Sequence, residues 1–476
     1  MGFLFKPSVK LCVNQFFYTE FHRGNLKIES GKNKTLCSYF CYFVLLSKFR
    51  QCKYFNMRQP IVFIVFLSIF IILTDLYTFR GISALLHNLP VYQRQIIRIV
   101  FWGITLFALV WILWIGYSFK NFTYQETYRN IAFFVGFFVL FFVPKLFFNI
   151  FQLFNDITVV LAKLVGFLFP TNTTITEGVH KISRSEFLLQ VGLIIASVPF
   201  LSIIWGIWKG RYNFKVSNIA LKYPNLPVAF EGTRILQISD FHIGSFEGNP
   251  DMVNKAVELI NKQDVDYILF TGDMVNNIAM EVESFVPILQ KLKAKKGKFS
   301  ILGNHDYGEY YQWASKEQHQ NNMNDLYKHH SDIGFTLLRN EAVRLQNNGE
   351  EIGLIGVENW GLPPFPQYGN LETATSTVKE LEFKILMSHD PSHWDAEVLN
   401  KTDIDLTLSG HTHGMQFAIR IPGWRWSPVK MKYPRWGGLY TEGKQKLYVN
   451  IGIGYIAFPG RVGTPPEITV IELKRG

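Results

Sequence analysis

Arg234-Ile235-Leu236-Gln237-Ile238-Ser239-Asp240-Phe241-His242 decides how the second half of this chain is read. An apolar run of strand length ends in an acid, and a histidine comes two residues later. Side chains at i and i+2 of an extended chain share a side. Asp240 and His242 would therefore converge on one ion if the chain stays extended beyond the strand. A single Asp-x-His is a weak sign of a metal pair, and its weight depends on the loops further along the chain.

Those loops repeat the arrangement. Thr271-Gly272-Asp273 comes after Ile268-Leu269-Phe270, and Gly303-Asn304-His305-Asp306 after Phe299–Leu302. Ser388-His389-Asp390 comes after Phe383–Met387, and Ser409-Gly410-His411-Thr412-His413 after Leu406–Leu408. Amphipathic stretches near Asp251–Lys262 and Val282–Leu292 lie between the early runs. Further strand-like runs fall at Thr336–Leu338, Ile352–Gly356, Leu447–Ile451 and Ile468–Leu473. This alternation predicts a sheet flanked by helices, and ligands of such sheets gather where the strands' carboxyl ends meet. Core packing does not account for five loops that each add an Asp, Asn or His at that place. The donors are two Asp, one Asn and four His with no thiolate, a set that suits Mn, Fe, Zn or Co. Seven donors exceed what one tetrahedral ion takes; they fit two ions sharing a carboxylate, roughly 3.5–4 Å apart. The glycines before Asp273, Asn304 and His411 suit sharp turns that bring backbone close to a bound phosphate.

The first half has a different texture. Phe is abundant, 43 in 476 residues, and concentrated before residue 210. Apolar runs at Ile61–Phe79, Ile99–Phe119, Ile131 to about Phe154 (through Pro144 and Lys145) and Phe187–Trp208 each approach the roughly 20 residues of a membrane span. Residues 157–169, with Lys163, read as an interfacial or re-entrant helix. Four spans put both ends on one side, and Lys209, Arg211 and Lys215 favour the cytoplasm for the second half. Arg80, Arg94, Arg98, Lys181 and Arg184 on the other side weaken that bias. The domain division is a basic leader over 1–56, a transmembrane region over 57–210, a connector over 211–231 and a catalytic-type domain over 232–476.

The formal charge of +11 does not imply a nucleic-acid partner. Residues 1–56 hold nine Lys and Arg against two acids, so most of the excess sits there and the rest is unremarkable. All four cysteines, Cys12, Cys37, Cys41 and Cys52, lie in the same leader. Met57-Arg58-Gln59-Pro60 before an apolar run resembles the start of a signal anchor, and the functional protein is expected to begin there.

The blocks D-x-H, G-D, G-N-H-[DE], H and G-H-x-H, in that order over residues 240–413, resemble the calcineurin-like metallophosphoesterase superfamily. Membrane spans ahead of such a domain resemble its membrane-associated bacterial phosphoesterases. The resemblance implies an α/β fold, a four-layer α/β/β/α sandwich, behind the α-helical transmembrane region. It implies one divalent metal on Asp240, His242 and His413, a second on Asn304, His389 and His411, and Asp273 bridging both. His305 matches the catalytic histidine, and a metal-bridging hydroxide would attack phosphorus. The protein phosphatases of the superfamily read G-D-x-x-D-R-G where this chain reads Gly272-Asp273-Met274-Val275-Asn276-Asn277. That departure favours a phosphodiester or pyrophosphate over a phosphoprotein. The substrate is expected to be a phosphate ester, lipid-linked if membrane tethering is a guide. A phosphomonoesterase and a non-catalytic membrane sensor are the alternatives.

Other residues carry smaller expectations. Asp306 and Asp390 orient ligands or are solvated loop acids. Arg461, in a turn-rich loop before the last strand, either contacts substrate phosphate or is a surface arginine. His319, His329, His330 and His393 read as solvated. Trp424-Arg425-Trp426-Ser427-Pro428-Val429-Lys430-Met431-Lys432-Tyr433 reads as an interfacial patch, a substrate lid or an exposed hairpin.

Overall fold

The computed structural model describes residues 59–121, 124–168 and 183–476. The leader, its cysteines and most of the loop before the last span lie outside them. Helices α1 (Gln59–Leu85), α2 (Val91–Asn121), α3 (Tyr124–Leu168) and α4 (Arg184–Trp208) are each long and apolar enough to cross a membrane. The capping box of Ser183 and Glu186 starts α4 by satisfying two of its free backbone donors.

Helix α3 departs from expectation. It runs unbroken through Pro144 to Leu168, so residues 157–168 are a continuation rather than a separate interfacial helix. At 1.5 Å per residue its 45 residues span roughly 67 Å, twice the roughly 30 Å of a hydrocarbon core. Its interior side is polar at one level. Lys145 Nζ lies 2.6 Å from Oδ1 of the fully buried Asp75, which also accepts from the Thr105 hydroxyl. A charge buried among apolar helices is tolerable only when paired in this way.

Beyond α4 the chain forms two mixed sheets. The first orders its strands as β1 (Lys215–Tyr223), β14 (Glu467–Arg475), β2 (Arg234–Ile238), β3 (Tyr267–Phe270), β4 (Gly297–Ser300) and β5 (Thr336–Leu337). The second runs β12 (Gly438–Glu442), β13 (Gln445–Val449), β9 (Leu406–Ser409), β8 (Lys384–Met387), β7 (Glu350–Gly356) and β6 (Glu341–Asn347). Strands β2 to β5 are mutually parallel, as are β7, β8, β9 and β13. A separate hairpin, β10 (Ile419–Ile421) and β11 (Trp424–Trp426), belongs to neither sheet.

Alternation along the strands builds the layers. Ile235, Tyr267 and Leu269 face Ile385, Met387, Leu406 and Leu408 in the core between the sheets. Leu236, Ile238, Ile268 and Phe270 face the other way, onto α5 (Pro250–Asn261) and α6 (Lys316–Ile333). Leu386, Ile355 and Leu447 pack outward against the short helix Leu371–Thr375 and Trp394. Apolar burial on both faces of each sheet gives the expected four-layer α/β/β/α sandwich.

Some local expectations fail. The stretch Val282–Leu292 forms a 3₁₀ turn and a single helical turn rather than a full helix. The connector contains β1, which pairs in parallel with β14; its exposed Asn218 and Lys222 hide the strand pattern. His330 is fully buried, its Nδ1 2.9 Å from Ser300 Oγ. His393 is also buried, bonded to Ser388 Oγ at 2.8 Å and stacked on Trp360.

The sandwich is seated on the helices by the loop before β14. Arg461 N donates to Gly206 O at 3.1 Å, Arg211 Nη1 to Pro459 O at 3.1 Å, and Ala457 N to Tyr128 Oη at 3.3 Å. A Cβ at Gly206 would lie 2.6 Å from Val462 Cγ2 and 2.9 Å from Arg461 O. Gly206→Val is therefore expected to cost about 1–3 kcal/mol by overpacking, read as a lower melting temperature of the detergent-purified protein. Burial pushes His330 down to about 3, so the folded ring stays neutral while the unfolded ring gains a proton below its ordinary value of about 6.5. Stability should then fall by up to about 1.4 kcal/mol per pH unit between those values and not change above them. Denaturant titrations of wild type and His330→Leu at pH 7 and pH 5 check this; the slope should be shallower in the variant by the His330 share, up to about 1.4 kcal/mol per pH unit.

Candidate metal centre

Every sequence-nominated donor sits at the carboxyl rim of the two sheets. Asp240 and His242 come after β2, Asp273 after β3, Asn304 and His305 after β4, His389 after β8, and His411 and His413 after β9. Ligating atoms of Asp240, His242 and His413 lie within 4.8 Å of one another, as do those of Asp273, His389 and His411. Asp273 Oδ2 is 3.6 Å from His242 Nε2 and 3.1 Å from His389 Nε2, between the two groups.

The chain does not reach this arrangement by staying extended. Asp240, His242, Asp273, His411 and His413 all have positive φ, from 44° to 70°. Each loop turns through the left-handed region, which non-glycine residues occupy at a cost of order 1–3 kcal/mol. Hydrogen bonds hold the turns. Asp240 N donates to Gly272 O at 2.9 Å and His242 N to Asp273 O at 3.1 Å. The glycines make room for the ligands. A Cβ at Gly303 would strike Asp273 Oδ1, and one at Gly410 would strike Asp240 Oδ2.

Hydrogen bonds also fix the imidazole tautomers. His242 Nδ1 faces Val275 O at 3.1 Å and His389 Nδ1 faces Thr271 O at 2.7 Å. A carbonyl only accepts, so each Nδ1 carries a proton and Nε2 is the atom left to face a cation. Three of the rings are neutral: burial pushes His242 down to about 3, His411 to about 4, and His413 well below its ordinary value. His389 goes the other way. Burial is outweighed there by Asp273 and Asp240, and the ring rises to about 10. Asp273, raised by burial, is brought well below its ordinary value by His389 and His305. The two form an ion pair whose proton a cation would displace.

The donor set fits divalent ions on further grounds. Asn304 Oδ1 is buried without a hydrogen-bond partner, a costly state that coordination would relieve. Asn304 is oriented through its Nδ2, which donates to Tyr310 Oη at 3.0 Å.

His305 stands beside both groups, its ring 4.9 Å from that of His242. Its Nδ1 lies 2.6 Å from Asn276 O. The backbone carbonyl of Asn276 thus does the orienting that an acid at this position would do, and Nε2 is left to exchange a proton.

Asp306 is the brace of the site. Its carboxylate accepts from Asp273 N, Met274 N and Gly303 N at 2.8–2.9 Å and from Val275 N at 3.2 Å. Asp390 Oδ2 accepts from Tyr433 Oη at 3.2 Å, and Tyr433 Oη lies 2.8 Å from His411 Nε2. In the sequence Tyr433 is visible only as part of the aromatic and basic loop. Sequence reasoning misses Glu281 altogether; it takes the N–H groups of Asn276, Asn277 and Ile278. An acid a few residues after a ligand loop is the one signal it leaves.

Arg461 departs from the substrate-binding reading. It is 1% exposed, and its guanidinium donates to the carbonyls of Gly454, Ile451 and Thr464 and to His413 Nδ1 at 3.0 Å. It braces a candidate ligand from behind, because its loop is docked on α4 and turns the side chain inward. His319 lies outside the centre, with Nε2 2.6 Å from Tyr307 O.

Asp306→Ala would strand four N–H groups, each worth about 1–3 kcal/mol when buried unpaired. The variant is expected to lose several kcal/mol and most bound metal, measured by melting temperature and elemental analysis. Asp306→Asn should fall between it and wild type.

Similarity to known proteins agrees with this geometry. A family model described as calcineurin-like phosphoesterase matches residues 233–415, and one described as probable calcineurin-like phosphoesterase, transmembrane domain, matches residues 57–211. The metallophosphoesterase YkuE of Bacillus subtilis is 32% identical over 62% of this chain and 98% of its own. A transmembrane protein with metallophosphoesterase domain from Danio rerio is 26% identical over 65% of this chain and 68% of its own. Among solved structures, a dimetal phosphatase from Danio rerio aligns with 47% of this chain and 88% of its own at 12% identity, TM-score 0.27. The chain belongs to the calcineurin-like metallophosphoesterases and carries that domain behind a four-helix transmembrane domain.

Proposed function

We propose that this protein is a membrane-anchored, dinuclear metal-dependent phosphohydrolase acting on a phosphodiester or pyrophosphate bond. The observation that carries the reading is Asp273, which belongs to one three-residue donor group and lies 3.6 Å from His242 of the other, with His305 beside them. Asp240, His242 and His413 would hold one ion, Asn304, His389 and His411 the other, and Asp273 both. When bound, two such ions supply an acidified water as nucleophile and charge stabilisation at the phosphoryl group. Mn, Fe, Zn and Co all suit these donors.

The chain's own residues do the rest. His305, fixed by the Asn276 carbonyl, donates a hydrogen bond to a phosphoryl oxygen or a proton to the departing oxygen from Nε2. Asp306 keeps Asp273 and the loop after β4 in register. Tyr433 and Asp390 restrain the His411 ring. A diester or pyrophosphate is favoured because Asn276 and Asn277 stand where protein phosphatases carry an acid and an arginine, and because the guanidinium of Arg461 is engaged behind His413 rather than free for a dianionic monoester. Residues 57–210 anchor the domain at 232–476 through the connector at 211–231. Lys209, Arg211 and Lys215 support a cytoplasmic side. Attachment to a bilayer supports a lipid-linked substrate.

Purified protein with Mn²⁺ should hydrolyse bis-p-nitrophenyl phosphate faster than p-nitrophenyl phosphate. Asp273→Ala and His305→Ala should each lose at least about a hundredfold in kcat/KM. Faster cleavage of the monoester would move the assignment to a phosphomonoesterase. Metal binding without turnover of either compound would make the protein a sensor.

A further inference from the structure

The β10–β11 hairpin takes no part in either sheet and is two-faced. Its register pairs Ile419 with Trp426, Arg420 with Arg425 and Ile421 with Trp424. Directly paired residues share a face, so Ile419, Ile421, Trp424 and Trp426 form one apolar face. They are 54%, 57%, 51% and 36% exposed. The two arginines take the other face, where Arg425 lies 5.2 Å from the Trp436 ring. No described residue covers the apolar face.

The hairpin's stem fixes where that face lies. Ala418 N donates to Val462 O and Val462 N to Gln416 O, both at 2.8 Å. Val462 is the residue packed against Gly206, two positions before the end of α4 at Trp208. The hairpin therefore springs from the level at which the last apolar helix ends. That level is marked by exposed Trp205 and Trp208, with Lys209 Nζ 5.5 and 4.8 Å from their rings, the residue types that settle among lipid headgroups. Charge agrees: residues 415–436 contain Arg420, Arg425, Lys430, Lys432 and Arg435 and no acid. Lys430 and Lys432 are exposed and flank Met431, at 87% exposure the barest of the large apolar side chains here.

We propose that this hairpin is a membrane wedge: Ile419, Ile421, Trp424 and Trp426 seat in the headgroup–acyl boundary of an anionic leaflet beside α4, and the flanking lysines meet its phosphates. The occupant is the bilayer that already holds α4, because the stem is hydrogen-bonded to the loop docked on that helix. Both ends of the wedge segment reach the metal centre, His413 at its start and Tyr433, bonded to His411, at its end. An amphiphile lying in that leaflet is thereby presented at the rim where the candidate ligands converge. The wedge rests on the fold and does not depend on the reaction assigned to the centre.

The test uses full-length protein with Cys12, Cys37, Cys41 and Cys52 changed to Ser, in nanodiscs containing phosphatidylglycerol. An environment-sensitive fluorophore is attached to single cysteines at Ile421→Cys, Trp424→Cys and, as a control on the turn between β12 and β13, Lys444→Cys. Ile421→Cys and Trp424→Cys should show blue-shifted emission and at least about twofold quenching by lipids spin-labelled near the top of the acyl chain; Lys444→Cys should show neither. A melting temperature matching the unlabelled parent certifies each protein as folded. Water-like emission and no quenching at both hairpin sites would overturn the proposal and leave the face to a soluble protein partner.

Discussion

The carboxylate of Asp306 accepts four backbone N–H groups from two loops, and the rest of the site depends on it. Strands β3 and β4 are parallel neighbours, so the loops after them leave the sheet side by side with unpaired donors. A single acid placed three residues after Gly303 satisfies those donors and fixes Asp273 at positive φ. Burial pushes Asp306 up to about 7, yet the four bonds make its oxygens the acceptors the loops need. Glu281 repeats the device one loop further out, holding Asn276, whose carbonyl in turn holds His305. The orientation of His305 is thus set by backbone and by two acids, neither of which touches it.

A second constraint runs from the membrane end. The loop before β14 must reach α4, cross the rim and return to the first sheet within residues 450–466. It does so by packing on Gly206 and turning Arg461 inward. A buried guanidinium requires acceptors for its donors, and three carbonyls and His413 Nδ1 provide them. The seating of the sandwich on the helices and the posture of one candidate ligand are consequently properties of one loop.

Much of this is legible in the sequence, unevenly. The apolar runs of α1, α2 and α4 and the strands β2, β3, β8 and β9 are long or uniform enough to announce themselves, and the donors at their ends accord with strand polarity. Helix α3 reads as a span to about Phe154 and a separate piece with Lys163, because Asn155 and Asp156 interrupt the apolar run; the partners of Asp156, Tyr77 and Arg80, are 79 and 76 residues away and have no local trace. Strand β1 reads as a connector because it lies at a sheet edge, where one face meets solvent and carries polar residues. Alternation pairs Asp240 with His242 for the wrong geometric reason. They converge through two left-handed residues, stabilised by bonds to the loop after β3 that no alternation rule contains. Arg461, His330 and His393 share a cause. Each is polar in a polar-looking stretch, and each is buried against a residue distant in the chain: His413 for Arg461, Ser300 for His330, and Trp360, on whose ring His393 stacks.

Chain direction accounts for why anchor and chemistry occur at one end of the molecule. In a sandwich of mainly parallel strands the carboxyl ends point one way, so the donor loops share a single rim. The same rim carries the loop docked on α4, the projecting start of α3 at Tyr128 and the stem of β10–β11. Strand β1 is parallel to β14, and β14 is antiparallel to β2, so β1 begins at the rim where β2 ends. Had β1 run the other way, the elbow between α4 and β1 would have had to span the sheet height, about 17–20 Å for strands of ordinary length. Half of that elbow is already wound into the turn Gly210–Tyr212, which shortens its reach. A short elbow leading into an edge strand of this direction therefore obliges the domain to present its ligand-bearing rim to the membrane.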